Sequence, residues 1–148
     1  MSDKGTRQVT VERVIAAPPE KIFEVLADPT QHAVIDGSGT VKAARAGDPA
    51  RLSAGATFGM DMRLGVPYRI TNTVVEFDEG RRIAWRHMGG HVWRYELEPV
   101  EGGTRVVETF DYATNRAPWL LELLRVPDRN RQGMVRTLER LDAHVTAA

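Results

Sequence analysis

Residues 9–29 read Val9-Thr10-Val11-Glu12-Arg13-Val14-Ile15-Ala16-Ala17-Pro18-Pro19-Glu20-Lys21-Ile22-Phe23-Glu24-Val25-Leu26-Ala27-Asp28-Pro29. Val9, Val11, Arg13 and Ile15 alternate with Thr10, Glu12 and Val14, the period-two pattern that predicts a strand over 7–15. Pro18-Pro19 stops that strand and suits the first turn of a helix, because proline lacks the N–H that a first turn leaves unpaired. Ile22, Phe23, Val25 and Leu26 then form a one-sided apolar stripe, so 19–27 is a short helix. Asp28-Pro29 ends it and opens another turn.

Outward from this stretch, residues 29–39 hold a short helical or irregular piece and then Asp36-Gly37-Ser38-Gly39. Val41–Ala44 reads as a short strand and 45–55 as a loop. The middle of the chain is β-rich: strands are expected over Thr57–Arg63, Tyr68–Phe77, Arg82–Met88, Val92–Glu98 and Thr104–Tyr112, with turns at Gly65/Pro67, Asp78-Glu79-Gly80, Gly89-Gly90 and Glu101-Gly102-Gly103. Such short connections make an antiparallel meander. From Ala117 the pattern is helical. Trp119, Leu120, Leu123 and Leu124 form one stripe, Pro127 interrupts, and Met134, Val135, Leu138, Leu141 and Val145 recur at helical spacing. The last 30 or so residues are therefore one long helix, or two joined near Pro127. A curved antiparallel sheet has to cover its apolar concave face, and the C-terminal helix is the obvious cover.

The chain has 148 residues, 42% hydrophobic and 27% charged, which fits one globular domain over 1–148 with residues 1–6 flexible. Lys plus Arg number 20 and Asp plus Glu number 20, so there is no basic surplus of the kind nucleic-acid binding needs. The absence of Cys excludes disulfides, a thiol nucleophile and thiolate zinc sites. No segment approaches the roughly 20 apolar residues needed to span a bilayer, and Met1–Gln8 is no signal peptide, so no integral membrane association is expected and the cytoplasm is the default location.

The order of elements resembles the helix-grip fold of the START-like (SRPBCC, Bet v 1-like) superfamily, an α+β fold with a curved antiparallel sheet of about six or seven strands around a long C-terminal helix and two short helices after strand 1. Three stretches carry the resemblance over nearly the whole chain: 14–29, quoted above; Val75–Arg86, similar to the family's central hairpin; and Gly103–Asp111, similar to its last strand. Small bacterial polyketide cyclase/dehydrase-like proteins are the most similar subgroup. The resemblance implies an apolar pocket for lipids, sterols or aromatic polyketides. In one respect the chain departs from many relatives: no Trp follows Asp28-Pro29, where the sequence runs Thr30-Gln31-His32-Ala33-Val34-Ile35-Asp36.

Several residues could line such a pocket. For the Met88–Val92 hairpin, a two-residue loop, Gly89-Gly90, would pair Arg86 with Trp93. A three-residue loop, Gly89-Gly90-His91, would pair His87 with Trp93 and Trp85 with Tyr95. Only the latter gathers Ile83, Trp85, Trp93, Tyr95 and Leu97 on one face and leaves Arg86 and Arg94 on the other, as burial energetics favour. His87 joins that face as a titratable group. Phe58, Met60 and Met62 share a strand face that either lines a ligand site or packs as core. Tyr68, Phe110, Met134 and Leu138 complete the expected ligand wall. Glu108 shares parity with Val106, Phe110 and Tyr112. If that face is inward the carboxyl enters the pocket with a raised pKa; otherwise it is a solvated charge. His32, Asp36 and Ser38 are the residue types of a relay, but no nucleophile elbow accompanies them. His87 and His91 sit across a turn with no third ligand nearby, so no metal and no cofactor is implied.

The preferred reading is binding or carriage of a small hydrophobic or aromatic ligand between sheet and C-terminal helix. The alternatives are a polyketide aromatase/cyclase using His32, His87, Tyr95 or Glu108, and a co-chaperone-like interaction module. The edge strand over 7–15 would serve a homodimer.

Overall fold

The computed structural model describes residues 7–37, 41–44, 49–64 and 66–147, and for 41–44, 60–64 and 67 the backbone alone. The elements are β1 (Gln8–Ile15), α1 (Pro19–Leu26), α2 (Pro29–Ile35), β2 (Val41–Ala44), β3 (Thr57–Leu64), β4 (Val66–Asp78), β5 (Arg82–His87), β6 (Val92–Val100), β7 (Gly103–Asp111), α3 (Pro118–Leu123) and α4 (Val126–Thr146). The expected flexibility of 1–6 falls outside the described residues, as does part of the 45–55 loop.

Each of these helices has proline in its first turn: Pro19, Pro29, Pro118 and Pro127. Proline thus punctuates the chain where strand or helix must give way to a new helix. Asp28 caps α2 by accepting from the Thr30 N–H at 2.9 Å. The C-terminal pattern resolves into two helices. Arg125, at φ 58°, stands in the left-handed region between α3 and α4 and turns the chain onto the sheet.

The seven strands form one antiparallel sheet in the order β1-β7-β6-β5-β4-β3-β2. β1 forms one edge, joined to β7, which brings the first strand beside the last. Its inward residues include Val9 and Ile15, while Val14 is exposed. The concave face carries Phe58, Ile70, Val74, Ile83, Trp85, Tyr95, Leu97, Val106 and Phe110, all buried. Ile22, Phe23 and Leu26 of α1 and Leu138, Leu141 and Val145 of α4 close over it as one core. A second cluster, Val9, Phe110, Tyr112 and Met134, continues it toward the start of α4.

Strand β4 keeps its long apolar face only because it slips register between Val74 and Glu76. Val74 is opposite Trp85 and Phe77 is opposite Ile83, so both point inward, and Glu76 turns outward to meet Arg94 at 2.6 Å. One extra residue in the ladder flips the parity of everything after it.

The β5–β6 hairpin differs from both registers considered above. Trp85 pairs with Trp93 and Ile83 with Tyr95, and the three-residue loop is Met88-Gly89-Gly90. The slip from the expected pairing is two residues, so the face assignment survives and the partners change. Gly90 decides it: its φ is 104°, and a Cβ there would sit 2.5 Å from the Thr114 carbonyl oxygen.

The end of α2 is fastened to α4. The Gly37 N–H donates to Thr137 Oγ1 at 2.9 Å, Arg136 Nε donates to the Gly37 carbonyl at 2.9 Å, and an Arg140 N–H to the Asp36 carbonyl at 2.7 Å. A Cβ on Gly37 would lie 2.5 Å from the Gly133 oxygen and the Thr137 nitrogen. Gly37→Ala is therefore expected to cost about 1–3 kcal/mol, by overpacking a backbone contact. Urea denaturation reads this as a lowered midpoint; an unchanged midpoint would show that this contact does not clamp α2 to α4.

Candidate functional site

The middle of the concave face is aromatic. Trp85 touches three rings: His32 stacked on it at 5.0 Å, Phe58 edge-on at 5.4 Å and Tyr95 tilted at 5.7 Å. His32 arrives from α2, where the Asp28 cap and Pro29 set the helix start. Its Nε2 donates to the Leu26 carbonyl at 2.9 Å. Burial holds the imidazole below its ordinary pKa, outweighing the Leu26 hydrogen bond and the charges of Asp28 and Asp36, so the ring is neutral near pH 7. The His32 Nε2 is thereby committed to a backbone carbonyl, and Ser38 lies outside the described residues.

One strand further, β7 carries Glu108 into the same face. Its register neighbours are Tyr95 on β6 and Val11 on β1, and Val106 and Phe110 flank it along the strand. Glu108 is only 3% exposed, which settles the parity that the sequence left open. The Tyr95 hydroxyl donates to Oε2 at 3.0 Å, while Oε1 has no partner among the described residues. Burial pushes the carboxyl up to about 8; the Tyr95 hydrogen bond opposes the shift and the Asp36 charge adds to it. Burial also raises the Tyr95 phenol, helped by Glu108, so it stays protonated and donates. Near neutral pH the pair is an uncharged carboxylic acid beside an uncharged phenol, the form that an apolar surround favours.

A second polar group on this face was missed in the sequence. Asn72 lies between Phe58 on β3 and His87 on β5, is 3% exposed, and its Oδ1 has no partner among the described residues. Its parity with Ile70 and Val74 was the available signal.

His87 and His91 stack at 4.3 Å at the hairpin rim. The Gly89 N–H donates to His87 Nδ1 at 2.8 Å, and the Asn115 amide donates to His91 Nδ1 at 3.0 Å. Burial lowers both imidazoles, His91 to about 4 with the neighbouring His87 contributing. No group of three metal-ligating side chains occurs among the described residues.

Among the other expected wall residues, Trp93 is half-buried and packs on Phe110 at 4.6 Å, Met134 and Leu138 face the sheet from α4, and Tyr68 is 38% exposed near the β3–β4 turn. The side chains of Met60 and Met62 lie outside the described residues; their backbone pairs with Ile70 and Tyr68 of β4.

A curved antiparallel sheet gripping a long C-terminal helix, with short helices after the first strand, defines a START-like helix-grip domain. The chain belongs to the polyketide cyclase/dehydrase and lipid transport family, whose model matches residues 6–146. It is 42% identical over 112 residues to the uncharacterized protein Rv0088 of Mycobacterium tuberculosis, an alignment covering 74% of this chain and 50% of that protein. The chain thus spans about half the length of the curated relatives it matches. Among solved structures, protein Ms6760 from Mycobacterium smegmatis is similar with a TM-score of 0.75 at 22% identity, covering 99% of this chain and 96% of that one. Protein CV1439 from Chromobacterium violaceum gives 0.74 at 19%, covering 96% and 99%. The Aha1 dimer from Colwellia psychrerythraea gives 0.68 at 17%, covering 95% and 96%. At these identities the structures share the fold. No helix among the described residues is long and apolar enough to cross a membrane.

Glu108 is also a stability group. Its pKa is raised on folding, so stability is greatest below the unfolded value near 4.5, where the acid is protonated in both states, and falls as pH rises until about 8, where the buried acid also ionises. The lowered histidines act in the opposite sense, their contribution being lost as pH falls. Glu108→Gln isolates the acid. Relative to the variant, the wild type is expected to lose on the order of 2–4 kcal/mol between pH 5 and pH 9. Parallel urea midpoints for the two proteins across that range would refute the buried-acid assignment.

Proposed function

We propose that this domain binds a small hydrophobic or aromatic molecule between the concave sheet face and α4, and that Glu108 anchors an oxygen of that molecule. The observation that carries this reading is the unpartnered Oε1 of a carboxyl 3% exposed among aromatic rings. A buried polar group without a partner costs free energy, so a fold that retains one has reason to satisfy it with a guest. The protonated acid can donate to a carbonyl or hydroxyl oxygen, Asn72 Oδ1 can accept from a hydroxyl, and Trp85 and Tyr95 offer faces to a planar ring. Lipid-like and polyketide-like molecules combine these features, in keeping with the family to which the chain belongs.

Cyclase or dehydrase chemistry is the second reading, and the same carboxyl favours it. A neutral acid at a ligand carbonyl can give its proton to the carbonyl oxygen while a water molecule takes the proton lost from the α-carbon, which leaves the enol that a subsequent dehydration needs.

Quenching of the three tryptophans by fatty acids, sterols and hydroxylated polycyclic aromatics separates the readings. Saturable quenching by one class is expected, weakened about tenfold in Glu108→Leu, which removes the anchoring hydrogen bond. Glu108→Gln keeps a neutral donor and acceptor, so it should retain binding. Turnover that this variant loses would establish the enzyme. Quenching by no class, in protein shown to be folded, would sink both readings and favour a protein-interaction module.

A further inference from the structure

The sheet carries a second feature at its β5–β6 hairpin rim, apart from Glu108 and independent of the reading above. The β5–β6 hairpin and the segment after β7 border an open groove of about 420 Å³, lined in part by Thr73, Arg86, His87, Thr114 and Arg116, and none of the described lining residues is acidic.

Elsewhere the convex face neutralises its arginines. Arg94 meets Glu76 at 2.6 Å, Arg82 meets Glu96 at 3.0 Å and Arg105 meets Glu98 at 3.2 Å. That ladder stops at the groove: neither Arg86 nor Arg116 has a carboxylate partner among the described residues. Arg86 is set by its β5 register opposite Thr73 on β4. The segment that carries Arg116 to the same groove is fastened to the hairpin by a built contact. The Thr114 hydroxyl donates to the Gly90 carbonyl at 2.6 Å, the Arg116 N–H to the Gly89 carbonyl at 3.2 Å, and the Asn115 amide to His91 Nδ1 at 3.0 Å. Gly90 is required for that approach, since a Cβ would meet the Thr114 oxygen. Because His87 Nδ1 accepts from Gly89, the neutral ring carries its proton on Nε2 and is a donor there.

Two arginines that line one groove bring like charge there with no carboxylate beside it, and planar guanidinium forks match tetrahedral oxyanions. We propose that this groove is an oxyanion site for a phosphate ester, with Arg86 and Arg116 as the charged donors and Thr73 and His87 as neutral ones.

Amide NMR shifts at 86–90 and 114–116 test this as the full chain is titrated, at constant ionic strength, with inorganic phosphate, phenyl phosphate and acetate. Saturable shifts are expected with both phosphates and much weaker ones with acetate. Arg86→Ala and Arg116→Ala should each weaken phenyl phosphate about tenfold, and Arg125→Ala, an exposed arginine outside the groove, should not. The milder Arg116→Gln serves if an alanine variant does not fold. Phosphatidic acid vesicles present the same group on a lipid: co-sedimentation lost in Arg86→Ala assigns the site to a headgroup, and its absence beside phenyl phosphate binding assigns it to a soluble ester. No saturable shift in folded protein, equal binding of acetate, or an equal loss in Arg125→Ala overturns the proposal.

Discussion

The seating of α4 on the concave sheet is the contact on which the rest of this structure depends. An antiparallel sheet with one apolar face must remove that face from water, and a single helix supplies most of the cover through Met134, Leu138, Leu141 and Val145. The short helices adjust to it. α1 fills one end of the trough with Ile22, Phe23 and Leu26, and α2 is held by the Gly37–Thr137 bond and by Arg136 and Arg140. The arginine series of the last helix thus has a structural use: two of its members fasten the α2–β2 connection. Arg13, exposed on β1 but on the same strand face as Val11 and Ile15, reaches the same helix by pairing with Asp142 at 2.7 Å.

Burying an acid in this setting works against folding, and the structure limits the penalty in two ways. Protonation removes the charge, and Tyr95 satisfies one of the two oxygens. What remains is an oriented, neutral carboxyl with one unused oxygen on a largely aromatic wall, with Asn72 as a second unsatisfied polar group. Apolar surface alone would accept many guests, whereas one placed polar group selects among them by an oxygen at a fixed position. The convex face follows the opposite rule, with charges exposed and matched in pairs until the two arginines of the rim groove.

Much of this was legible in the chain. Pro18-Pro19 and Pro29 marked the first two helix starts, alternation marked the strands, and the argument that arginines stay outside while aromatics go inside put Trp85, Trp93 and Tyr95 on the right face. The hairpin pairing was misjudged by two residues because parity cannot distinguish loops that shift by one residue at each strand end. The partner that fixes Gly90 is the Thr114 carbonyl, 24 residues away in the chain, and no local pattern announces it. Asn72 was overlooked for a different reason: between Ile70 and Val74 its parity was readable, but a polar residue in a strand is usually read as surface.

By itself the sequence determined the α+β class, the order of elements, the apolar faces and the family, because these rest on local periodicity and on the stiffness of proline and glycine. Only the tertiary structure decided that Glu108 is buried, that His32 is bound to Leu26 and stacked on Trp85, and that Arg86 and Arg116 share a groove. Each of these depends on strand register and on which distant segment closes over a side chain. Burial, pKa and pairing are properties of the surroundings, and the surroundings exist only once the sheet has curved around α4.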